Sequence, residues 1–296
     1  MKRPESVDWR WLSDFAHEEG AVGLMALEKP FPALPVMKGT DWLLILVRET
    51  VAPWPELEHL YWRDWRLQVR RVTPETLEKW IYEGDRNGVQ WLLRGEIVAD
   101  DKGHLAKLRR MLEKRPALLR EQRMLCEFSR FFVHYAQAKS DLAESRVIDA
   151  YSHILQSLNH WAHIAMLEQG VLPETAIWEQ MRSINPGIYK LYEELTSSEE
   201  PPEKRVQLLI LACEFSVLSK LKACCRLLLR VLGQKAAACT MEELRSDKRL
   251  RPLPVDLPLL LQKLVHRGLV QETVAPAPGS PGKLEIRYAL KAAERQ

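Results

Sequence analysis

The 296-residue chain lacks the long apolar runs that membrane spans require. A spanning helix needs roughly 18–20 such residues in succession, and even the Trp42–Val47 run is closed by Asp41 before it and Arg48 after it. The opening Met1–Asp8 segment carries no apolar core of the kind a secretory signal has. The expectation is a cytoplasmic protein with no membrane contact. Charge of one sign is also scarce. With 43 basic and 40 acidic residues the balance is +3, too small to turn the whole surface into a sink for polyanions. Cysteine is sparse and odd in number: Cys126, Cys213, Cys224, Cys225 and Cys239, with no Cys-x-x-Cys pair. That excludes a disulfide framework and the usual cysteine zinc spacing, and leaves reduced, buried thiols as the expectation. No Gly-rich phosphate loop, Gly-x-Ser-x-Gly elbow or His-Glu-x-x-His helix occurs, so most standard enzyme classes have no support. Internal repeats and low-complexity segments are missing as well.

What remains is the composition of an ordinary globular chain, 46% hydrophobic and 28% charged. Its length suggests two or three domains. The first segment, residues 1–116, changes period repeatedly, as an α+β domain does. Asp8–Gly20 reads as a helix, Ala21–Leu27 as a strand, and Thr40–Val47 as a central buried strand. Leu60–Val72 reads as one further alternating strand, with Tyr61, Leu67 and Val69 facing the core and Arg66, Gln68 and Arg70 facing away. Thr73-Pro74 announces a helix that Gly84 ends. A helix at Asn87–Leu93, a strand at Glu96–Ala99 and a helix at His104–Glu113 follow. Residues 117–235 recur at three- and four-residue apolar intervals and predict an all-α bundle, with helices near 118–142, 146–168, 174–185, 188–195 and 204–232. Residues 240–296 order themselves as helix, helix, hairpin, the order of a small winged helix-turn-helix.

The acid at the mouth of the central strand is Asp41, in Lys38-Gly39-Thr40-Asp41-Trp42-Leu43. A Gly, a small hydroxyl residue and an Asp leading an apolar strand resemble the nucleotidyltransferase fold. Active members of that fold hold two divalent metals on an Asp-x-Asp pair and a third carboxylate on a neighbouring strand. Clustered carboxylates offset the charge of paired metals, and residues i and i+2 share one side of a strand. This chain departs from the pattern. The position after next is Leu43, and the strand candidate Trp65-Arg66-Leu67-Gln68-Val69 is preceded by a single acid, Asp64. The resemblance implies catalytic or magnesium-binding roles for Asp41 and Asp64, and a ligand role for Lys38, Gly39, Thr40 and Arg66. Longer blocks match too: Thr76–Trp80, Gly84–Ile97 with Asp100, Asp149–Leu155, Asn159–Ala162 and Ile184–Leu195. They resemble nucleotidyltransferase-like proteins with YgxA-type helical and helix-turn-helix domains. That family implies a mixed nucleotidyltransferase-like sheet with helices, then a substrate-binding-like helical bundle, then a winged helix-turn-helix.

Within the bundle, Asp149 and His153 form an i,i+4 pair, and Tyr151, His160 and His163 follow on nearby turns. These groups suit contact with a phosphate or base, and equally a hydrogen-bonded seam between helices. Spacing of i,i+3 alone is common and does not by itself indicate a histidine metal site. Arg130 and His134 share one helical face, which suits a surface pair as well as ribonuclease chemistry. In the tail, Lys248, Arg249, Arg251, Lys263, Arg267 and Lys283 are the candidates for DNA contact. The expected function is a degenerate nucleotidyltransferase-like protein that binds a nucleotide or nucleotidylated small molecule between its first two domains and contacts nucleic acid through its tail. The rivals are an active transferase moving a nucleoside monophosphate to a small molecule and a non-catalytic interaction scaffold. Trp54, Trp62 and Trp65 suit a homo-oligomer interface, a lipophilic pocket or a core alike.

Overall fold

The computed structural model describes residues 12–28, 39–50, 53–62, 64–114, 116–171, 177–277 and 282–291. The chain divides into two compact units between Leu119 and Arg120. The first is built from α1 (Ser13–Ala16), β1 (Ala21–Glu28), β2 (Trp42–Arg48), β3 (Leu57–Trp62), β4 (Trp65–Val72), α2 (Pro74–Glu83), α3 (Arg86–Arg94), β5 (Glu96–Asp100) and α4 (His104–Lys114). Its sheet has the order β3-β4-β2-β1-β5. Only the β2–β4 pair is parallel. Every residue of β2 is buried, as a continuous apolar run in a central strand requires. Leu24, Ala26, Leu44, Leu46, Leu67 and Val69 pack on one face with Leu12 and Phe15.

The single strand expected over Leu60–Val72 is instead a hairpin. β3 and β4 pair with Trp62 opposite Trp65, and Asp64 turns the chain at φ 70°. The alternation therefore resets at the turn. Leu67 and Val69 are buried, but Tyr61 is 71% exposed while Leu60 and Trp62 lean on the core. Gln68, assigned to the outer face, is also buried. The expected Asp8–Gly20 helix is only Ser13–Ala16 among the described residues, and its first part, like Lys38, lies outside them.

The helices follow their sequence signals closely. Thr73 Oγ1 accepts from the Thr76 N–H, Pro74 opens α2 and Gly84 closes it in the left-handed region. Asp85 caps α3 through the Gly88 N–H, and both carboxylate oxygens of Asp100 cap α4 at Leu105 and Ala106. Gly88 packs so closely on Trp80 that a Cβ there would lie 2.5 Å from the indole.

The second unit holds α5 (Pro116–Ala143, which starts just before the division), α6 (Val147–Gln169), α7 (Ile177–Ile184), α8 (Pro186–Ser197), α9 (Pro202–Cys224), α10 (Arg226–Gly233), α11 (Met241–Arg245), α12 (Leu257–His266), β6 (Val270–Pro276) and β7 (Leu284–Leu290). A three-residue turn joins α5 to α6, so the two run antiparallel. The long helix expected over 204–232 breaks at Cys225 into α9 and α10. All five cysteines are free and buried, and burial pushes the Cys213 and Cys224 thiols up to about 12. The last four elements run helix, helix, hairpin. Cys239 adds an isolated bridge to Tyr288 of β7, and a reciprocal Thr240–Glu243 capping box starts α11. This end is fastened to α5: Gln122 Nε2 donates to the Arg249 carbonyl at 3.1 Å, and the Asp256 N–H donates to Ser129 Oγ at 2.8 Å. No helix among the described residues is long and apolar enough to cross a membrane.

Candidate functional site

Two places collect the residues singled out by sequence, one in each unit. In the first, Asp41 stands where β2 and β4 begin side by side. Its backbone N–H donates to the Arg66 carbonyl at 2.8 Å, and its Oδ2 accepts the Arg66 N–H at 2.8 Å. The carboxylate thus extends the β2–β4 ladder by one more pair, the work of a turn anchor. Two residues on, Leu43 is fully buried and faces Gln68, also buried, across the ladder. Neither β2 nor β4 carries a carboxylate. Asp64 is exposed in the hairpin turn. One acid engaged by a backbone N–H, with an aliphatic and an amide side chain in the adjoining register positions, does not fit a pair of magnesium ions, which demand several converging oxygen ligands. What this corner does offer is Arg66, exposed, with Gly39 beside it. Gly39 has φ 85°, and a Cβ there would sit 3.3 Å from the Arg66 guanidinium, so glycine lets the loop run against that cation. Thr40 is half-buried next to it.

The second place is the seam between α5 and α6. Glu127, His134 and Asp141 repeat at seven-residue steps along α5, and Arg146, His153 and His160 do the same in the opposite sense at the start of and along α6. Antiparallel packing matches them pairwise. His160 Nδ1 lies 2.8 Å from Glu127 Oε2, His134 Nδ1 lies 3.2 Å from His153 Nδ1, and the Arg146 guanidinium reaches Asp141 Oδ1 at 2.6 Å. His163, one turn beyond His160, also reaches Glu127 Oε2, at 3.2 Å. The His134 ring stacks on His160 with centroids 5.6 Å apart and planes within 6°. Four of the eight histidines therefore sit in one row.

Electrostatics differ along the row. Burial disfavours the Glu127 charge, but hydrogen bonds from His160 and His163 outweigh it and hold the carboxyl down at about 2. His134 is lowered, first by burial and then by the neighbouring His160 and His153. Arg146, helped by Gln137, keeps Asp141 below the usual carboxylate range. The other Asp141 oxygen, Oδ2, is buried without a hydrogen bond and faces His153 Nε2 at 3.8 Å.

His153 and His160 face α5 together, as their spacing predicts, with His163 near them. Asp149, the expected i,i+4 partner of His153, is exposed; the carboxylate facing that ring is Asp141, from the neighbouring helix. Tyr151 is taken up structurally, its hydroxyl donating to the Leu195 carbonyl at 2.9 Å. Arg130 lies 3.8 Å from Glu127 Oε1, and His134 belongs to the row. Glu127 and Asp141 were missed. Their spacing with His134 was the available signal.

In the tail, Lys248, Arg251, Arg267 and Lys283 are exposed. Arg249 is occupied by Asp247 in a two-pronged ion pair, and the Lys263 ammonium lies 5.5 Å from the centre of the Phe132 ring.

Comparison with known proteins follows the same division. Residues 5–120 match the family model described as nucleotidyltransferase-like, and residues 121–220 match that of the YgxA-like substrate binding domain. The Bacillus subtilis (strain 168) protein YgxA is 29% identical over 229 residues, 77% of each chain. The crystal structure of a nucleotidyltransferase-like protein from Exiguobacterium sibiricum 255-15 has a TM-score of 0.80 at 28% identity, covering 94% of this chain and 96% of that one.

Proposed function

From a chain that carries a nucleotidyltransferase-like domain followed by a YgxA-like substrate-binding domain, we propose a protein that binds a nucleotide or a nucleotidylated small molecule without transferring it. The observation that carries this reading is the start of β2 and β4. There the fold is retained, the one leading acid is spent on the Arg66 N–H, and Leu43 and Gln68 occupy the register positions beside it. Phosphate recognition would fall to the exposed Arg66 guanidinium and the Gly39–Thr40 backbone, a cation and N–H donors suited to phosphate oxygens. Magnesium would then arrive on the nucleotide's own phosphates and not on a carboxylate pair of the chain. The carboxy-terminal helix–helix–hairpin is, in this reading, a nucleic-acid contact that uses Lys248, Arg251, Arg267 and Lys283, while Arg249 and Lys263 stay with their internal partners.

Calorimetric titration with ATP, GTP, CTP and UTP, with and without magnesium, tests the first half. Binding of at least one is expected, weakened by Arg66→Ala and retained in Asp41→Asn. No heat with any of them removes the ligand. Release of pyrophosphate from labelled triphosphate, abolished by Asp41→Ala, would make the protein a working transferase. For the tail, mobility shifts on DNA duplexes should weaken with salt and weaken further in an Arg251→Ala/Arg267→Ala variant. No shift on any duplex at low salt removes the nucleic-acid half.

A further inference from the structure

Glu127, His160 and His163 bring one carboxylate oxygen and two imidazole nitrogens together, with all three ligand atoms within 4.8 Å of one another. The nitrogens do not merely neighbour the acid. Both Nδ1 atoms aim at the same oxygen, Glu127 Oε2, from 2.8 and 3.2 Å. Without a metal, each contact requires a proton on Nδ1. Remove those two protons and two imidazole lone pairs face one carboxylate oxygen, so that a small shift of the carboxylate admits a cation in the protons' place. Tetrahedral coordination at about 2.0–2.1 Å spaces donor atoms roughly 3.3 Å apart, so the two nitrogen–oxygen distances need to open by only about 0.5 and 0.1 Å.

We propose that Glu127, His160 and His163 form a binding site for a divalent transition-metal ion of zinc's class. Two imidazoles and a carboxylate are the donors such ions prefer, whereas magnesium prefers oxygen ligands alone. Neighbouring groups limit the movement of two of these ligands. Arg130 sits 3.8 Å from the other carboxylate oxygen, and the His134 ring lies parallel to His160. The ligands come from helices packed side by side, so their placement does not depend on a loop. The Glu127 side chain is only 10% exposed, but His163 is 28% exposed. The fourth position therefore opens toward solvent on the His163 side, where a water or the anionic oxygen of a ligand completes the shell. The site belongs to the second unit, and its proposal does not depend on the nucleotide contact proposed at Arg66.

The test uses the full chain, stripped with a chelator and dialysed into metal-free buffer near neutral pH. Zinc is titrated in competition with a chromogenic chelator, and cobalt is titrated separately by its visible absorption. One zinc per chain is expected, with cobalt ligand-field bands of a site of low coordination number. Glu127 also contributes to folding, so His163→Asn, which alters the most exposed ligand, is the decisive variant, accompanied by circular dichroism to establish that the helices persist. It should lose at least a hundredfold in zinc affinity together with the cobalt bands. His134→Gln should lose roughly tenfold to hundredfold, as expected for a supporting group, and His59→Asn, on the exposed strand β3, should lose nothing. The five buried thiols offer no competing site. Absence of saturable zinc binding in the wild-type chain, or equal affinity in a folded His163→Asn, would overturn the proposal and leave the cluster a hydrogen-bonded seam.

Discussion

Replacing Glu127 by Gln in the metal-free protein isolates the value of one buried charge of the seam. Glu127 is 7% exposed and its carboxyl sits at about 2 where 4.5 is ordinary. That difference corresponds to roughly 3 kcal/mol of folding free energy, at about 1.4 kcal/mol for each factor of ten. The geometry gives the same scale independently. Two charge-assisted hydrogen bonds contribute about 1.5–3 kcal/mol each, offset in part by taking the carboxylate out of water. Gln keeps the volume and one acceptor but not the charge, so Glu127→Gln should destabilise the helical unit by about 3 kcal/mol at neutral pH. In urea, followed by far-UV circular dichroism, this is a midpoint shift of roughly 1 M if unfolding proceeds with a slope of about 2–3 kcal/mol per molar. The pH dependence has a definite sign. The folded value lies below the unfolded one, so the contribution is complete above the ordinary carboxylate value of 4.5 and disappears as pH falls toward 2. The gap between wild type and variant should therefore narrow below that value. Midpoints that coincide at neutral pH to within about 0.5 kcal/mol, the range of an inert surface change, or a gap that widens in acid, would refute the reasoning.

Other perturbations follow from the same structure. His134 is held below its ordinary 6.5, so its protonation opposes folding, and the Tm should fall as pH drops below that value; His134→Gln should flatten the profile over that window. Gly88→Ala drives a Cβ to 2.5 Å from Trp80, and the overpacking should cost the first unit about 1–3 kcal/mol in chemical denaturation, less the helix propensity gained. Asp41→Ala removes the acceptor of the Arg66 N–H and should cost about 1 kcal/mol, with Asp41→Asn close to wild type, because the role is a hydrogen bond and not a charge; an equally large loss in both would contradict this. Ser157→Ala deletes a fully buried hydroxyl bonded to the Phe131 carbonyl at 3.1 Å and should lower stability by about 1 kcal/mol, read from the urea midpoint.

Local signals carried most of the fold. The continuous apolar run of β2, the Thr73-Pro74 start and Gly84 stop of α2, and the Thr240 cap all act within a few residues, and each was readable in one dimension. The hairpin at Trp62–Trp65 was not, because its turn contains no glycine; Asp64 adopts a left-handed conformation that sequence flags only weakly. The break at Cys225 hid inside an unbroken apolar periodicity. The blocks that carry the family resemblance are largely structural: Asp85 and Asp100 cap helices, Asn185 caps α8 ahead of Pro186, and Gly88 accepts an indole at close quarters. They report how the chain folds more than what it binds. Half of the histidine row was legible on α6 from spacing alone. The other half, on α5, required the axial register of two helices joined by a three-residue turn, which is fixed only when their side chains pack.

The matched seven-residue steps on α5 and α6 also act as a vernier. Sliding one helix past the other by three residues would set Glu127 against His163 but bring the buried Asp141 opposite Asp149 and leave His134 facing Gln156. Sliding it the other way would strand Glu127 against Ser157 and His134 against Ala150. Leucines and alanines would tolerate several such alignments; this row of charges and rings favours one, and so helps to set the axial position of α6 against α5.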